Sequence, residues 1–344
     1  MLEEELETKV ILVTGGAGFI GSNFIKHVLK KHPTYIVYNL DKLTYAGNLD
    51  NFNDTKSIPF FDDRYHFEKG DICDRKIVRD LTHLSNIIVN FAAESHVDKS
   101  LLSPEDFLKT NVIGTWNLLE AAREKNIEKF IQISTDEVYG SILEGSSFED
   151  SPLNPSSPYA QSKATADLLA LNYFKNYNLP VIIPRSSNNF GPNQYPEKVI
   201  PLFVTNALED KELPLYGDGL NERDWLYVED NCEAIDLLIH KGKKGEIYNI
   251  GANNEVRNID LTKIILGHMN KPLTLIKQVK DRPNHDRRYS LNTEKIRSFR
   301  WEPQNNFTDA LNKTIDWYTN NKWWWEKIKS GEYKEYYKKQ YGLR

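Results

Sequence analysis

Ser134, Thr135, Asp136 and Glu137 follow one another directly after the apolar run Phe130-Ile131-Gln132-Ile133. Two hydroxyls and two carboxylates at the carboxyl end of a buried strand stand where open α/β sheets bind their ligands. Downstream, Tyr159 and Lys163 are spaced i, i+4, on one face of a helix. A phenol ionises with a pKa of about 10, too high for a base at neutral pH, and a neighbouring ammonium stabilises the phenolate. The pair therefore suits removal of a proton from a hydroxyl that is being oxidised, with Thr135 as a hydrogen-bond partner for that hydroxyl. Asp136 and Glu137 suit an elimination, which needs a base and an acid together. Adjacent carboxylates in a dry site do not easily both ionise, so one stays protonated; the sequence leaves open which one. Taken alone, each motif also has a plainer reading, as a solvated acidic turn or an exposed helix face.

Oxidation of a hydroxyl needs a hydride acceptor, and the start of the chain has the pattern for one. The run 10–13, all apolar, ends in Thr14-Gly15, and Gly15-x-x-Gly18-x-x-Gly21 opens a helical stretch over 19–31. Glycines there allow a tight turn and close approach of backbone to a pyrophosphate, while the helix N-terminus favours negative charge. A second strand over 35–40 ends in Asp41, twenty residues beyond Gly21. An acid at that place accepts hydrogen bonds from a ribose 2′-hydroxyl and repels a 2′-phosphate, so NAD is expected rather than NADP. Asp71-Ile72 after a third strand and Ala92-Ala93 after a fourth are placed to flank the same cofactor.

These pieces imply an α/β fold with a doubly wound parallel sheet of Rossmann type, built by strand and helix patterns that alternate through the first half. Residues 104–125 read as a helix, 129–134 as a strand, and the segment with Pro152, Pro155 and Pro158 as the loop that delivers the chain to the Tyr159 helix. Residues 1–187 are assigned to the dinucleotide-binding domain. Glycine, proline and asparagine punctuate 186–224, so 188–344 are assigned mainly to a smaller, discontinuous α/β substrate-binding domain, with segments near 225–250 returning to the main sheet. The chain of 344 residues is 27% charged and 40% hydrophobic, ordinary for a globular protein. Its net charge of -5 argues against nucleic acid as a partner. Two distant cysteines, Cys73 and Cys232, argue against a disulfide framework or a zinc site and fit a reducing cytoplasm; no metal is expected. The acidic residues 1–9 do not read as a signal peptide, and no run reaches the length of a membrane span. Trp323-Trp324-Trp325 reads as part of a packing or interface helix.

Thr14-Gly15-Gly16-Ala17-Gly18-Phe19-Ile20-Gly21 together with Tyr159-x-x-x-Lys163 resembles the extended short-chain dehydrogenase/reductase superfamily. Further stretches narrow the resemblance to the nucleotide-sugar 4,6-dehydratases, nearest to the branch that acts on dTDP-glucose. They are Phe91-Ala92-Ala93-Glu94-Ser95-His96-Val97-Asp98, Ser134 to Gly140, Asn188-Asn189, Pro196-Glu197-Lys198, Arg223-Asp224-Trp225 and Asp281-Arg282-Pro283-x-His285-Asp286-Arg287-Arg288-Tyr289. Residue 284 is Asn where that last motif usually has Gly. Similar epimerases lack the Asp-Glu pair after Thr, which makes a 4-epimerase the weaker alternative; UDP-glucose is the alternative substrate.

The resemblance implies Glu137 as the base at C5 and Asp136 as the acid at the departing C6 hydroxyl. It extends the cofactor contacts to Phe19, Ile20, Lys42, Thr44, Ser95, Thr110 and Asn189. A sugar nucleotide carries a diphosphate, so cations are expected from the second half, and guanidinium geometry suits phosphate; Arg223 is the leading candidate, with the cluster Arg282, Arg287 and Arg288. The resemblance adds Asn188, Glu197, Lys198, Asn258, Asp281, His285 and Tyr289, with Ser95 and Thr135 touching substrate as well. It also implies a homodimer formed through the helices at about 104–125 and 159–176.

Overall fold

The computed structural model describes residues 8–330. Residues 1–7 of the acidic start and residues 331–344 lie outside these residues. The main sheet has β1 (Val10–Thr14) at its centre. On one side follow β2 (Ile36–Asp41) and β3 (Tyr65–Lys69); on the other lie β4 (Ile87–Asn90), β5 (Lys129–Gln132), β7 (Val181–Ser186) and β11 (Glu246–Ile250). The two-residue β6 (Ser134–Thr135) lies one residue beyond β5 and also pairs with β7. All these pairings are parallel. The chain winds outward from β1 through β2 and β3, then returns to β4 and winds the other way, so a crevice opens between the carboxyl ends of β1 and β4.

Strands of such a sheet are buried on both faces and alternate their side chains between two cores. Ile11 and Val13 of β1, Ile87 and Val89 of β4, and Ile131 of β5 pack into one core. Leu12, Ile88 and Phe130, their neighbours along each strand, pack into the other. The helices Phe19–Lys31 and Val228–Lys241 cover the first face, and Arg75–Leu84, Thr115–Lys125 and Pro158–Tyr177 the second.

The expected strand over 129–134 is interrupted at Ile133, and the expected helix over 104–125 contains a π-helical stretch, Leu108–Gly114. A Cβ at Gly114 would sit 2.4 Å from Ile72 Cδ1, so a larger residue here would require the Ile72 side chain to move. β11 and the helix before it join the main sheet layer. β10 (Glu222–Tyr227) does not: it pairs with β8 (Asn188–Phe190) and antiparallel with β12 (Glu255–Arg257). A two-stranded sheet of β9 (Leu213–Tyr216) and β13 (Ile276–Val279) completes the smaller part. Its core gathers Phe190, Phe203, Trp225, Leu261, Leu311 and Tyr318 with Trp324 and Trp325.

The tryptophan run therefore belongs to a packing helix, Lys322–Ile328. Trp324 donates its indole N–H to Asn51 Oδ1 at 2.9 Å and Trp325 to the Tyr318 carbonyl at 2.8 Å, while Trp323 is 42% exposed. Trp324→Ala should cost about 3–5 kcal/mol, the usual loss for a buried large aromatic, and Trp323→Ala about 0.5 kcal/mol or less. Urea unfolding of the two variants checks this; equal losses would contradict the packing described.

Candidate active site

A cavity of about 310 Å³ runs along the crevice at the carboxyl ends of the strands. Its floor is the turn after β1. Gly15 has φ +70° and lies so close to β4's exit that a Cβ would sit 2.6 Å from the Ala92 nitrogen. Only glycine serves both needs at this position. Gly18 precedes the helix Phe19–Lys31 with no side-chain cap, and Phe19, Ile20 and Gly21 line the cavity. This is a backbone cradle backed by a helix N-terminus, with the shape and polarity that suit a pyrophosphate. Asp41 closes β2: its Oδ2 accepts from the Ala17 amide at 2.9 Å and its Oδ1 from Leu43 at 2.8 Å. Burial raises its pKa against the pull of those two amides. Lys42 pairs with Asp71 at 2.8 Å, and that bond with the Cys73 amide holds the Asp71 carboxyl below its ordinary range despite burial. Thr44, Ile72, Ala93, Ser95, Thr110 and Asn189 line the same cavity, Thr110 from the π-helical stretch.

The polar cluster stands at the other end. The break after β5 leaves the Ile133 carbonyl free of the strand ladder, and Lys163 Nζ donates to it at 2.5 Å. The Tyr159 helix is started by Ser157, whose hydroxyl accepts from the Ala160 amide, and by Pro158 in the first turn. Thr135 accepts from the Glu137 amide at 3.3 Å and starts a short 3-10 turn, Asp136–Tyr139, that carries both carboxylates into the cavity. Thr135 Oγ1 donates to Asp136 Oδ1 at 3.1 Å; Asp136 Oδ2 is buried with no hydrogen-bond partner among the described residues.

Burial and the neighbouring Glu137 push the Asp136 pKa up to about 8, so this carboxyl is protonated at neutral pH. Burial raises Glu137 as well, but Arg282, Lys198 and Arg223 all pull it back toward the ionised form. Burial, then Glu137 and Asp136, drive the Tyr159 phenol far above its usual range, and burial brings Lys163 down to about 8. The arrangement thus sets two carboxyls, both raised by burial, with Arg282 and Lys198 drawing back Glu137 and Arg223 drawing back both, beside a phenol and an ammonium around one cavity.

Of the expected substrate residues, Ser95, Thr135, Asn188, Glu197 and Lys198 line this cavity. Arg282 and Tyr289 line a small adjoining one of about 10 Å³, which Glu137 also lines. Arg223, Asn258, Asp281 and His285 line neither. Arg223 lies just behind, stacked 4.3 Å from the Tyr289 ring and donating to the Asp286 carbonyl at 2.8 Å. Asn258 Oδ1 is buried without a partner among the described residues, and His285 hydrogen-bonds Asp281 at 2.6 Å. Arg287 and Arg288 turn away into ion pairs with Asp218 and Glu255. Asn284 has φ +50°, a left-handed conformation that asparagine tolerates in place of glycine.

Several cavity residues escape sequence reading. Glu94 lines the wall, its backbone N–H and C=O both bonded by Asn111. Behind the expected Glu197 stand two residues that do not line the cavity: Tyr45, which donates to Glu197 at 2.9 Å, and Lys99, 3.1 Å from the Tyr45 ring centre. Gln194 and Tyr195 come from a loop whose Pro and Asn content reads as a linker. Glu94 alone carried a signal, its place beside Ala92-Ala93.

A family model described as GDP-mannose 4,6-dehydratase matches residues 12–314. A dTDP-glucose 4,6-dehydratase from Streptomyces niveus is 47% identical over 327 residues, covering 93% of this chain and 96% of the relative. The crystal structure of DesIV, a dTDP-glucose 4,6-dehydratase from Streptomyces venezuelae solved with NAD bound, is 46% identical with a TM-score of 0.89, covering 93% of this chain and 99% of that one. A Thermus thermophilus UDP-glucose 4-epimerase, also solved with NAD, is 28% identical with a TM-score of 0.83, covering 91% and 99%.

The protonated Asp136 is directly measurable. Infrared difference spectra against Asp136→Asn should contain a neutral carboxylic C=O band at pH 7 that fades as pH rises through about 8. A band absent at pH 7 would contradict the assignment.

Proposed function

The chain belongs to the nucleotide-sugar 4,6-dehydratases, and from that membership we propose that it removes water from dTDP-glucose to give dTDP-4-keto-6-deoxyglucose, with NAD as cofactor. One observation carries the proposal. Two adjacent buried carboxyls, unequal in their surroundings, share a cavity with a Tyr/Lys pair at the end of a glycine cradle. An epimerase has no use for the acid and base of an elimination.

The cofactor's fit rests on the Gly15 cradle and on the acid at the end of β2. Gly15, Gly18, Phe19 and Ile20 would hold the pyrophosphate, and Asp41, beside Lys42 and Asp71, the adenosine half. NAD would supply the hydride acceptor for C4 and the hydride donor for C6. Tyr159 takes the proton from the O4 hydroxyl, Thr135 orients that hydroxyl, and Lys163 supplies the positive charge that lets a buried phenol ionise. The ketone at C4 acidifies the C5 hydrogen. Glu137, kept toward its ionised form by Arg282, Lys198 and Arg223, takes that proton. Asp136, protonated, gives its proton to the departing C6 hydroxyl, and water leaves; with the hydride restored at C6, Glu137 gives its proton back to C5. Asn188, Glu197 and Lys198 hold the sugar and the near phosphate; Arg282, from the adjoining cavity, meets the diphosphate, with Arg223, Asn258 and the rest of the segment 281–286 behind it.

The reaction is placed in the cytoplasm, where two unpaired cysteines, Cys73 and Cys232, persist. Among the described residues no helix is long and apolar enough to cross a membrane. A homodimer is supported by Leu108, Ile113 and Leu168 on the helices already singled out for it and by Leu101 and Leu102 just before them, all more than 40% exposed. Leu168→Asp should shift the sedimentation coefficient from dimer to monomer; an unchanged value would remove this face from the interface.

Incubation with dTDP-glucose should give a product lighter by one water, with UDP-glucose turned over more slowly; an isomer of unchanged mass would mean epimerisation. Tyr159→Phe should lower turnover by about 10²–10⁴, the usual worth of general acid–base catalysis. Glu137→Gln should abolish exchange of the C5 hydrogen with deuterated solvent, while Asp136→Asn should keep the exchange and lose water elimination. The reverse pattern would exchange the two roles.

A further inference from the structure

One turn beyond Lys163 on the same helix lies an ion pair that lines neither cavity. Asp167 and Arg185 are 0% and 2% exposed at their side chains, with Arg185 Nε donating to Asp167 Oδ2 at 2.9 Å. The same oxygen accepts from Ser134 Oγ at 2.9 Å, and Oδ1 has no hydrogen-bond partner among the described residues. The guanidinium lies 4.8 Å from the Tyr139 ring centre, and Tyr139 in turn donates to Asn249 Oδ1 at 2.9 Å. A buried ion pair is weak evidence for stability, since an apolar pair of similar volume often serves as well. Its place behind Lys163 calls for another explanation.

Lys163 is itself buried, and its hydrogen-bond acceptor, the Ile133 carbonyl, carries no charge. An ammonium in such a place tends to lose its proton. Tyr159 on its own helix and Asp136 and Glu137 beyond β6 line the same cavity, Asp167 lies one turn along the helix, and Arg185 on β7 pairs with Asp167. Of these carboxyls, Asp167 is the one whose field opposes the effect of burial on Lys163. Burial also raises Asp167, while Arg185 and Lys163 pull it toward the ionised form, and the guanidinium is always charged. We propose that Asp167, locked in place by Arg185 and Ser134, is a positioning residue that keeps Lys163 an ammonium seated on the Ile133 carbonyl, so that Tyr159 can act as a base. Asp167 touches neither substrate nor cofactor and acts through Lys163. This inference rests on the roles given above to Lys163 and Tyr159.

Two measurements on the NAD-loaded protein test it. In the first, the pH profile of kcat for dTDP-glucose is compared between the parent and Asp167→Asn. The variant's alkaline limb should move down by about one pH unit or more, with KM unchanged and Asp167→Glu restoring the parent profile. A purely structural role would lower kcat at every pH and leave the limb where it was. Asp167→Asn leaves Arg185 without its partner, so where it does not fold the double variant Asp167→Asn/Arg185→Met, which removes both charges, takes its place and should carry the same shift. In the second, lysine labelled with ¹³C at Cε reports the Lys163 titration without substrate, its signal assigned by loss in Lys163→Met. The Lys163 midpoint should fall in the Asp167 variant. A folded variant with an unmoved limb and an unmoved midpoint overturns the inference. Parent protein that does not turn over dTDP-glucose counts against the proposed function instead, and the ¹³C titration then decides the Asp167 question alone.

Discussion

The hydrogen bond from the Lys163 ammonium to the Ile133 carbonyl joins the two halves of the site. The carbonyl is available because the strand is interrupted between β5 and β6, and that interruption turns the following residues, Thr135 to Glu137, into the cavity. The ammonium is available because Ser157 and Pro158 start the helix at the register that points Lys163 at the carboxyl end of β5. Without this bond the phenol of Tyr159 and the two carboxyls would sit on independent elements. With it, they are held on one frame with the glycine cradle, since β5 lies beside β4 and β4 beside β1.

The chemistry follows from burial acting on unlike neighbours. At the catalytic end of the cavity burial disfavours charge: Asp136, Glu137 and Tyr159 are raised and Lys163 is lowered. What separates the two adjacent acids is the surroundings. Arg223 draws on both carboxyls, but Arg282 and Lys198 draw on Glu137, whereas the second-largest influence on Asp136 is the charge of Glu137 itself. A base and an acid result from two carboxyls of similar intrinsic strength, as the elimination requires. The positive rim that would hold a diphosphate thus also sets which carboxyl ionises.

Much of this was legible in the sequence where structure is local. The βα units, the glycine triplet and Asp41 carry their meaning within about thirty residues, the span of one such unit, and every residue expected at the cofactor lines the cavity. The second half was less legible because its pairings are distant. β10 was expected to rejoin the main sheet, yet it pairs with β8 and β12, whose short polar sequences carry no strand pattern. Arg223 reads as a phosphate ligand, and it is largely buried against Tyr289 and the Asp286 carbonyl. Which of Asp136 and Glu137 keeps its proton depends on Arg282, nearly 150 residues away, and no spacing rule reaches that far. Asp167 was invisible for a similar reason: a lone acid on a helix reads as solvated, and its partner Arg185 comes from a strand.

The central claim is that one cavity oxidises C4, eliminates water across C5 and C6, and restores the hydride without releasing the sugar. The most direct measurement uses dTDP-glucose carrying deuterium at C4. The account predicts a 4-keto-6-deoxy product with that deuterium in its C6 methyl group. Deuterium that remains at C4, or that is missing from the C6 methyl of the product, would contradict it.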